Sequence, residues 1–272
     1  MEAPGGAVGV SSAPFLKWAG GKRRLLPALL EHVPERFGTY YEPFVGAGAL
    51  FFELRPKSAV LADLNQELIH TFRMVRDDVD SVIEQLKQMP ITRSFFYHLR
   101  SARVCQGSAA WQAARFIYLN KTCFNGLYRV NRKGQCNSPY GDYASPVVCD
   151  EQRLLDCAKV LEGVWLNAID FESIVFGSDD FVYFDPPYVA ISQTANFCAY
   201  TPDGFGWQDH KRLAAFASRL KKRGTKVLLT NADHPDVREL YRDGFEMRSV
   251  EVSRPISSNA STRGPVSELI IW

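Results

Sequence analysis

Residues 181–190 read FVYFDPPYVA: four apolar residues, Phe181 to Phe184, run into a carboxylate, two prolines and a tyrosine. A strand should end at Asp185, because prolines cannot donate to a sheet ladder and Pro186 biases its predecessor toward extended backbone. Asp185, Pro186, Pro187 and Tyr188 then fall at the carboxyl end of that strand, the edge where open α/β sheets bind ligands. A stiff turn that sets a carboxylate beside a phenol ring there suits a planar guest. On this stretch alone, an Asp-Pro turn that closes a buried strand is the alternative.

Working outward, further strand-like runs lie at 39–44 (TYYEPF), 58–63 (SAVLAD), 163–168 (GVWLNA), 225–230 (TKVLLT), 245–252 and 267–272. Helical patterns at about 23–31, 48–54, 64–76, 150–161, 207–222 and 234–242 alternate with them. That alternation predicts an α/β fold with a mostly parallel sheet covered on both faces. Residues 78–149 break the rhythm. Two or three helical segments, including WQAARFIYLN at 111–120, precede a long polar and aromatic section with no strand pattern, so an inserted helical subdomain is expected there, between 14–77 and 150–272. The run SSNASTRG at 257–264 reads as a hairpin loop between the last two strands.

Composition bounds the function. The chain has 272 residues, 46% hydrophobic and 23% charged, as a soluble fold with a sizeable core would have. No apolar run approaches the roughly 20 residues of a membrane span. The start, MEAPGGAVGVSSAP, lacks a basic region followed by an apolar one, so residues 1–13 read as a flexible tail rather than a signal peptide, which predicts a cytoplasmic protein. Six cysteines without a C-x-x-C pair and five histidines without H-E-x-x-H indicate neither a disulfide framework nor a metal site.

The net charge of +2 is nearly neutral, but its distribution is uneven. One acid-free basic stretch carries Lys17, Lys22, Arg23 and Arg24; another, residues 120–141, carries Lys121, Arg129, Arg132 and Lys133. In the second, Phe124, Asn125, Tyr128, Asn131, Asn137 and Tyr140 are interleaved with the cations. Those residue types contact phosphates, base edges and base faces, which favours nucleic acid over a plain surface loop. A third cluster, Arg219 to Lys226, is a solvated helix end.

Two further motifs suggest a nucleoside. In YYEPFVGAGALFFEL, Gly46 and Gly48 let the backbone turn sharply toward a ligand ahead of a helix, although the third glycine of G-x-G-x-x-G is missing. In SAVLADLN, Asp63 ends the second strand, placed either to accept both ribose hydroxyls or to cap the next helix. KWAGGK at 17–22 offers a phosphate-cradling lysine, but G-x-x-x-x-G-K-[ST] is absent, which argues against an NTPase.

With KWAGGK, EPFVGAG, LNKTCFNGLYRVNRKGQCNSPYG and DPPY in this order, the chain resembles the Dam-like adenine-N6 DNA methyltransferases (D12 class, alpha group) over about residues 14–272. The resemblance implies a Rossmann-like methyltransferase sheet, S-adenosylmethionine as methyl donor, no metal, and double-stranded DNA from which the target adenine is flipped. A DPPY motif also occurs in RNA adenine methyltransferases. By the resemblance, Asp185, Pro186, Pro187 and Tyr188 are catalytic, with Asp185 and the Pro186 carbonyl taking the two N6 hydrogens and Tyr188 offering a face for the base. Trp18, Lys22, Asp63 and Asp185 fall on cofactor positions; Phe44 and Phe171 are either neighbours of the cofactor's adenine or ordinary core. Lys17, Phe124, Asn125, Leu127, Arg129, Asn131, Pro139 and Tyr143 match DNA contacts, Arg129 as a guanine reader; Lys121, from the basic stretch, is expected to contact a phosphate. GATC is the expected target. Asp142 departs from the family pattern, standing where relatives carry a basic DNA contact. The resemblance admits a cognate restriction endonuclease as partner as readily as solitary action. Residues 189–206 are expected to form a lid over the flipped base.

Overall fold

The computed structural model describes residues 13–18, 20–102, 107–131, 135–188, 205–253 and 265–272. The expected lid, apart from Phe205 and Gly206, the 257–264 loop and the tail before Ala13 lie outside these.

All seven expected strands form: β1 (Tyr40–Glu42), β2 (Ala59–Ala62), β3 (Trp165–Asn167), β4 (Phe181–Phe184), β5 (Lys226–Ala232), β6 (Met247–Ser253) and β7 (Pro265–Ile271). They make one sheet in the order β3-β2-β1-β4-β5-β7-β6. The first five are parallel, and β7 pairs antiparallel with both β5 and β6. From β1 the chain winds outward through β2 to β3, and from β4 it winds the other way to β5. The strand order therefore reverses between β1 and β4, which opens a crevice at their carboxyl ends.

Side-chain alternation along the central strands explains the double cover. In β4, Phe181 and Tyr183 enter one core while Val182 and Phe184 enter the other. Tyr40 and Tyr41 of β1 divide in the same way, as do Ile270 and Leu269 of β7. Every residue of β4 is buried, as strands covered on both faces must be. One face is packed by α8 (Trp207–Lys222) and α9 (Pro235–Tyr241), through residues such as Leu213, Leu220 and Val237.

The other face takes α1 (Leu26–Leu30), α2 (Ala49–Leu54) and α3 (Gln66–Asp77). The same core continues into α4 (Val79–Lys87), α5 (Arg93–Ser101), α6 (Ala109–Thr122) and α7 (Glu151–Leu161). Each of α3 to α7 begins at a side chain that accepts a backbone N–H: Asn65, Asp78, Thr92, Ser108 and Asp150. Such caps are worth about 1 kcal/mol each. The stretch expected to start one long helix at 23–31 instead makes a 3-10 turn over Lys22–Arg24 before α1, because Pro27 sits in the first turn of a new helix.

α6 is buried on all sides from Ala113 to Thr122. Within it, Arg115 is 1% exposed and survives burial through its partners. Its Nε donates to the Leu99 carbonyl, its guanidinium pairs with Glu67 at 3.3 Å and also reaches the Ala102 carbonyl, tying α6 to the end of α5 and to α3. After α6 the polar section doubles back. Bridges Cys123↔Tyr140 and Val130↔Cys136, with Asn137 N–H donating to Arg129 and Asn131 N–H to Gln135, form an interrupted antiparallel ribbon. The segment shows no strand pattern in its sequence because the pairing is too broken for an apolar alternation to develop.

Candidate active site

The crevice between β1 and β4 is walled by two loops. After β1, Gly46 and Gly48 take φ of +47° and +71°. A Cβ on Gly46 would lie 2.7 Å from the Trp18 indole, so this glycine is what lets Trp18 approach the loop so closely. Asp63 stands at the end of β2, where its Oδ2 accepts the Gly46 N–H at 3.3 Å and its Oδ1 the Asn65 N–H at 2.9 Å. The cap of α3 is Asn65, which accepts from Leu68, and not Asp63. Burial pushes the Asp63 carboxyl up to about 6, against those two N–H donors. Phe44 packs at 5.6 Å from Phe171 and 6.3 Å from Phe184. Phe171 is 2% exposed and is part of the core on the α8 face, whereas Phe44 is half-buried at the crevice.

The second wall is the DPPY turn. Asp185 Oδ1 receives two protein donors, the Lys22 ammonium at 3.0 Å and the Thr230 hydroxyl at 2.8 Å. Thr230, from β5, is itself hydrogen-bonded to the Tyr183 hydroxyl at 3.0 Å. Among the described residues no hydrogen bond or ion pair engages Oδ2. Burial raises the Asp185 pKa, Lys22 being the largest opposing influence. Lys22 is 5% exposed; its ammonium also donates to the Gly20 carbonyl at 2.5 Å and lies 4.4 Å from the Tyr188 ring centroid. Behind the turn, Glu42 is buried and accepts from the Tyr40 hydroxyl at 2.8 Å. Its own burial pushes its pKa up to about 8, so at neutral pH it adds little negative charge behind Asp185.

The basic segments meet. Asn120 in α6 clamps the Lys17 backbone at two points, accepting its N–H at 2.9 Å and donating to its carbonyl at 2.6 Å. The Lys17 ammonium donates to the Lys121 carbonyl at 3.2 Å and sits 4.3 Å from the Tyr143 ring centroid. Asn125 adopts φ 56°, and Gly126 follows at φ 65°, where a Cβ would lie 2.9 Å from that of Lys17. The Asn-Gly pair therefore turns the chain beneath the first motif. Phe124 is 44% exposed, its N–H held by the Pro139 carbonyl at 2.8 Å. The buried Ser138 hydroxyl donates to the Leu127 carbonyl and accepts the Arg129 N–H, fixing the backbone that carries both side chains. Asn131 is occupied by Gln135 through backbone and side chain.

Lys121 is not a surface cation: it is 6% exposed and lines an open cleft of about 420 Å³ with Lys17, Tyr143 and Arg153. Burial, then Arg153 and Lys17, brings its pKa down to about 8. Asp142 is exposed with φ 48°, a left-handed position that aspartate tolerates better than arginine or lysine does.

Residues 18–256 match the family model described as "D12 class N6 adenine-specific DNA methyltransferase". The chain belongs to this family. It is 39% identical over 272 residues to the type II methyltransferase M1.LlaDCHI of Lactococcus lactis subsp. cremoris, covering 96% of this chain and 95% of that one. To the type II methyltransferase M.MjaIII of Methanocaldococcus jannaschii it is 37% identical, over 95% and 98% of the two chains. The DNA adenine methylase of Escherichia coli K12 is 34% identical, over 94% and 93%. This is an adenine-specific DNA methyltransferase on an α/β sheet, and no helix among the described residues is long and apolar enough to cross a membrane.

The family's motifs account for the crevice, yet Thr230, Glu42, Glu268, Asn120 and Ser138 were not singled out by the sequence. Glu42 opens the EPFVGAG motif without a role of its own being assigned to it, and the signal for Glu268 is a lone carboxylate inside an apolar strand pattern, SELII.

Proposed function

We propose that this methyltransferase takes its methyl group from S-adenosylmethionine and delivers it to N6 of an adenine flipped from duplex DNA into the Asp185–Tyr188 turn, at GATC. The observation that carries the reading is the one-sided occupation of Asp185. Among the described residues both donors use Oδ1, and Oδ2 is the oxygen assigned here to a hydrogen of N6. The exocyclic nitrogen is a poor nucleophile because its lone pair is delocalised into the ring. Acceptors at Oδ2 and at the Pro186 carbonyl hold its two hydrogens, favour a tetrahedral nitrogen and stabilise the charge that develops on it. Pro186 limits the turn's freedom, and the Tyr188 ring offers a stacking face that offsets part of the few kcal/mol lost on unstacking.

The donor supplies an electrophilic sulfonium methyl group. The residues present suit its nucleoside end: a carboxylate at the end of β2 for ribose hydroxyls, the Gly46 loop beneath Trp18, and the half-buried Phe44. Because an ionised Asp63 is the better acceptor, S-adenosylmethionine affinity should weaken as pH falls through about 6. Asp63→Ala should lower that affinity by roughly tenfold, about the worth of one charged hydrogen bond, and remove the pH dependence while DNA affinity stays put. Calorimetry from pH 8 to 5 checks it; a wild-type affinity indifferent to pH and to the substitution reduces Asp63 to a brace for the Gly46 loop.

GATC rests on Leu127, Arg129 and Pro139, with Lys17 set for a guanine beside the target. A bidentate guanine contact discriminates by about 1 to 3 kcal/mol, so Arg129→Ala should relax the guanine requirement at one position and not weaken all sequences equally. Expression in a methylation-free host and single-molecule mapping of modified adenines tests both. Methylation concentrated at another motif overturns GATC, and uniform weakening in Arg129→Ala removes the reader role.

A further inference from the structure

Glu268 lies in a stretch, SELII, that otherwise reads as buried strand. Because β7 runs antiparallel to β5, with Ala232 opposite Glu268, its amino-terminal half reaches the carboxyl edge of the parallel strands. This brings a carboxylate from the far end of the chain to the DPPY turn. At 8% exposure such a group is costly unless its oxygens have partners. The Tyr188 hydroxyl donates to Oε2 at 2.7 Å. The Lys22 ammonium is 3.9 Å from the same oxygen, farther than its 3.0 Å contact with Asp185, so Glu268 is foremost the partner of Tyr188. Burial and the neighbouring Asp185 and Glu268 charges raise the Tyr188 pKa well above its usual value, which keeps the hydroxyl a donor.

The two prolines stiffen the backbone ahead of Tyr188 but do not set the rotation of its ring. A hydrogen bond at the far tip pins that end of the ring and, because a phenol O–H prefers to lie in the ring plane, biases the plane toward the acceptor as well. We infer that Glu268 is a positioning residue for methyl transfer: by accepting the Tyr188 hydroxyl it fixes the plane against which the flipped adenine stacks, without touching the base. The inference rests on the reading of this crevice as the adenine slot. Its energetic logic is that of near-attack geometry, where a misplacement of about 1 Å can cost on the order of 10² in rate.

The test compares Glu268→Ala, Glu268→Gln, Tyr188→Phe and the double variant Tyr188→Phe/Glu268→Ala in single-turnover methylation of a GATC duplex. A 2-aminopurine at the target position reports the flipped base by fluorescence. Glu268→Ala should slow the single-turnover step by about tenfold or more and alter the 2-aminopurine signal, with dissociation constants for S-adenosylmethionine and DNA within about threefold of wild type. Glutamine keeps an acceptor oxygen and should restore most of the rate. Tyr188→Phe should lose about as much as Glu268→Ala, and the double variant no more than either, because both remove one bond. A Glu268→Ala rate within about threefold of wild type, or losses that multiply in the double variant, overturns the inference. If Glu268→Ala fails to fold in a thermal melt, Tyr188→Phe and Glu268→Gln decide, and a wild-type rate in Tyr188→Phe is then the overturning result. A wild-type protein that transfers no methyl group to DNA sinks the reading of the crevice itself, whereas an active wild type indifferent to Glu268 sinks only the positioning role.

Discussion

Asp185→Ala is expected to lower the single-turnover rate of methyl transfer by on the order of 10² to 10³ while the protein stays folded, the usual cost of deleting one preorganised electrostatic partner. On the proposed mechanism the substitution removes Oδ2, one of two acceptors for the N6 hydrogens, and leaves only the Pro186 carbonyl. It also strips Lys22 of its nearest counter-charge, and an abandoned buried charge can cost about 3 to 5 kcal/mol. Here the loss is cushioned. The Lys22 ammonium keeps the Gly20 carbonyl and has Glu268 3.9 Å away to turn toward. A thermal melt and a cofactor titration on the same preparation separate lost chemistry from lost fold. A folded variant that retains a rate within about tenfold of wild type removes Asp185 from the mechanism.

Lys22→Met should be the next most damaging change, and its signature is a pH profile. The ionised form of Asp185 is the useful acceptor; burial raises its pKa and the Lys22 ammonium is the largest influence holding it down. Without that ammonium, the carboxylate takes up its proton at a higher pH. Since activity needs the deprotonated group, the acid limb of the kcat profile moves to higher pH. The loss is then deepest in acid and smallest in base: an opposite charge this close typically shifts a carboxylate by about 1 to 3 pH units, so a loss of about tenfold or more is expected on the acid limb, with recovery as the pH is raised above it. If Lys22 served the cofactor alone, KM for S-adenosylmethionine would rise at every pH and the acid limb would stay where it was.

The sheet was legible because its signals are local. FVYF ends at a Pro pair after Asp185, and most other strands are short, largely apolar runs bounded by turn residues or a helix, so even the boundaries fall within a few residues of the observed ones. What could not be read is what the tertiary fold joins. Nothing in KWAGGK says that Lys22 would reach 163 residues along the chain to Asp185, or that Asn120 would clamp the Lys17 backbone. Thr230 sat in an unremarked strand end, and Glu268 became part of the site only through the antiparallel insertion of β7 beside β5. The expectation that Asp63 either caps α3 or faces a ribose was resolved in one half by a neighbour: Asn65 takes the cap, and Asp63 is left at the strand end with its loop donors. Lys121, expected as a phosphate contact, is buried, and charge pattern carries no information about burial.

Nucleoside analysis of the product is the most direct examination of the chemistry assigned to the crevice. Duplex DNA incubated with the protein and isotopically labelled S-adenosylmethionine is digested to nucleosides and resolved by mass spectrometry. Wild type should yield labelled N6-methyldeoxyadenosine, and Asp185→Ala a residue of it smaller by on the order of 10² or more. Label found instead in N4-methyldeoxycytidine, or N6-methyldeoxyadenosine formed equally well by both proteins, would contradict the assignment of N6 transfer to the Asp185–Tyr188 turn.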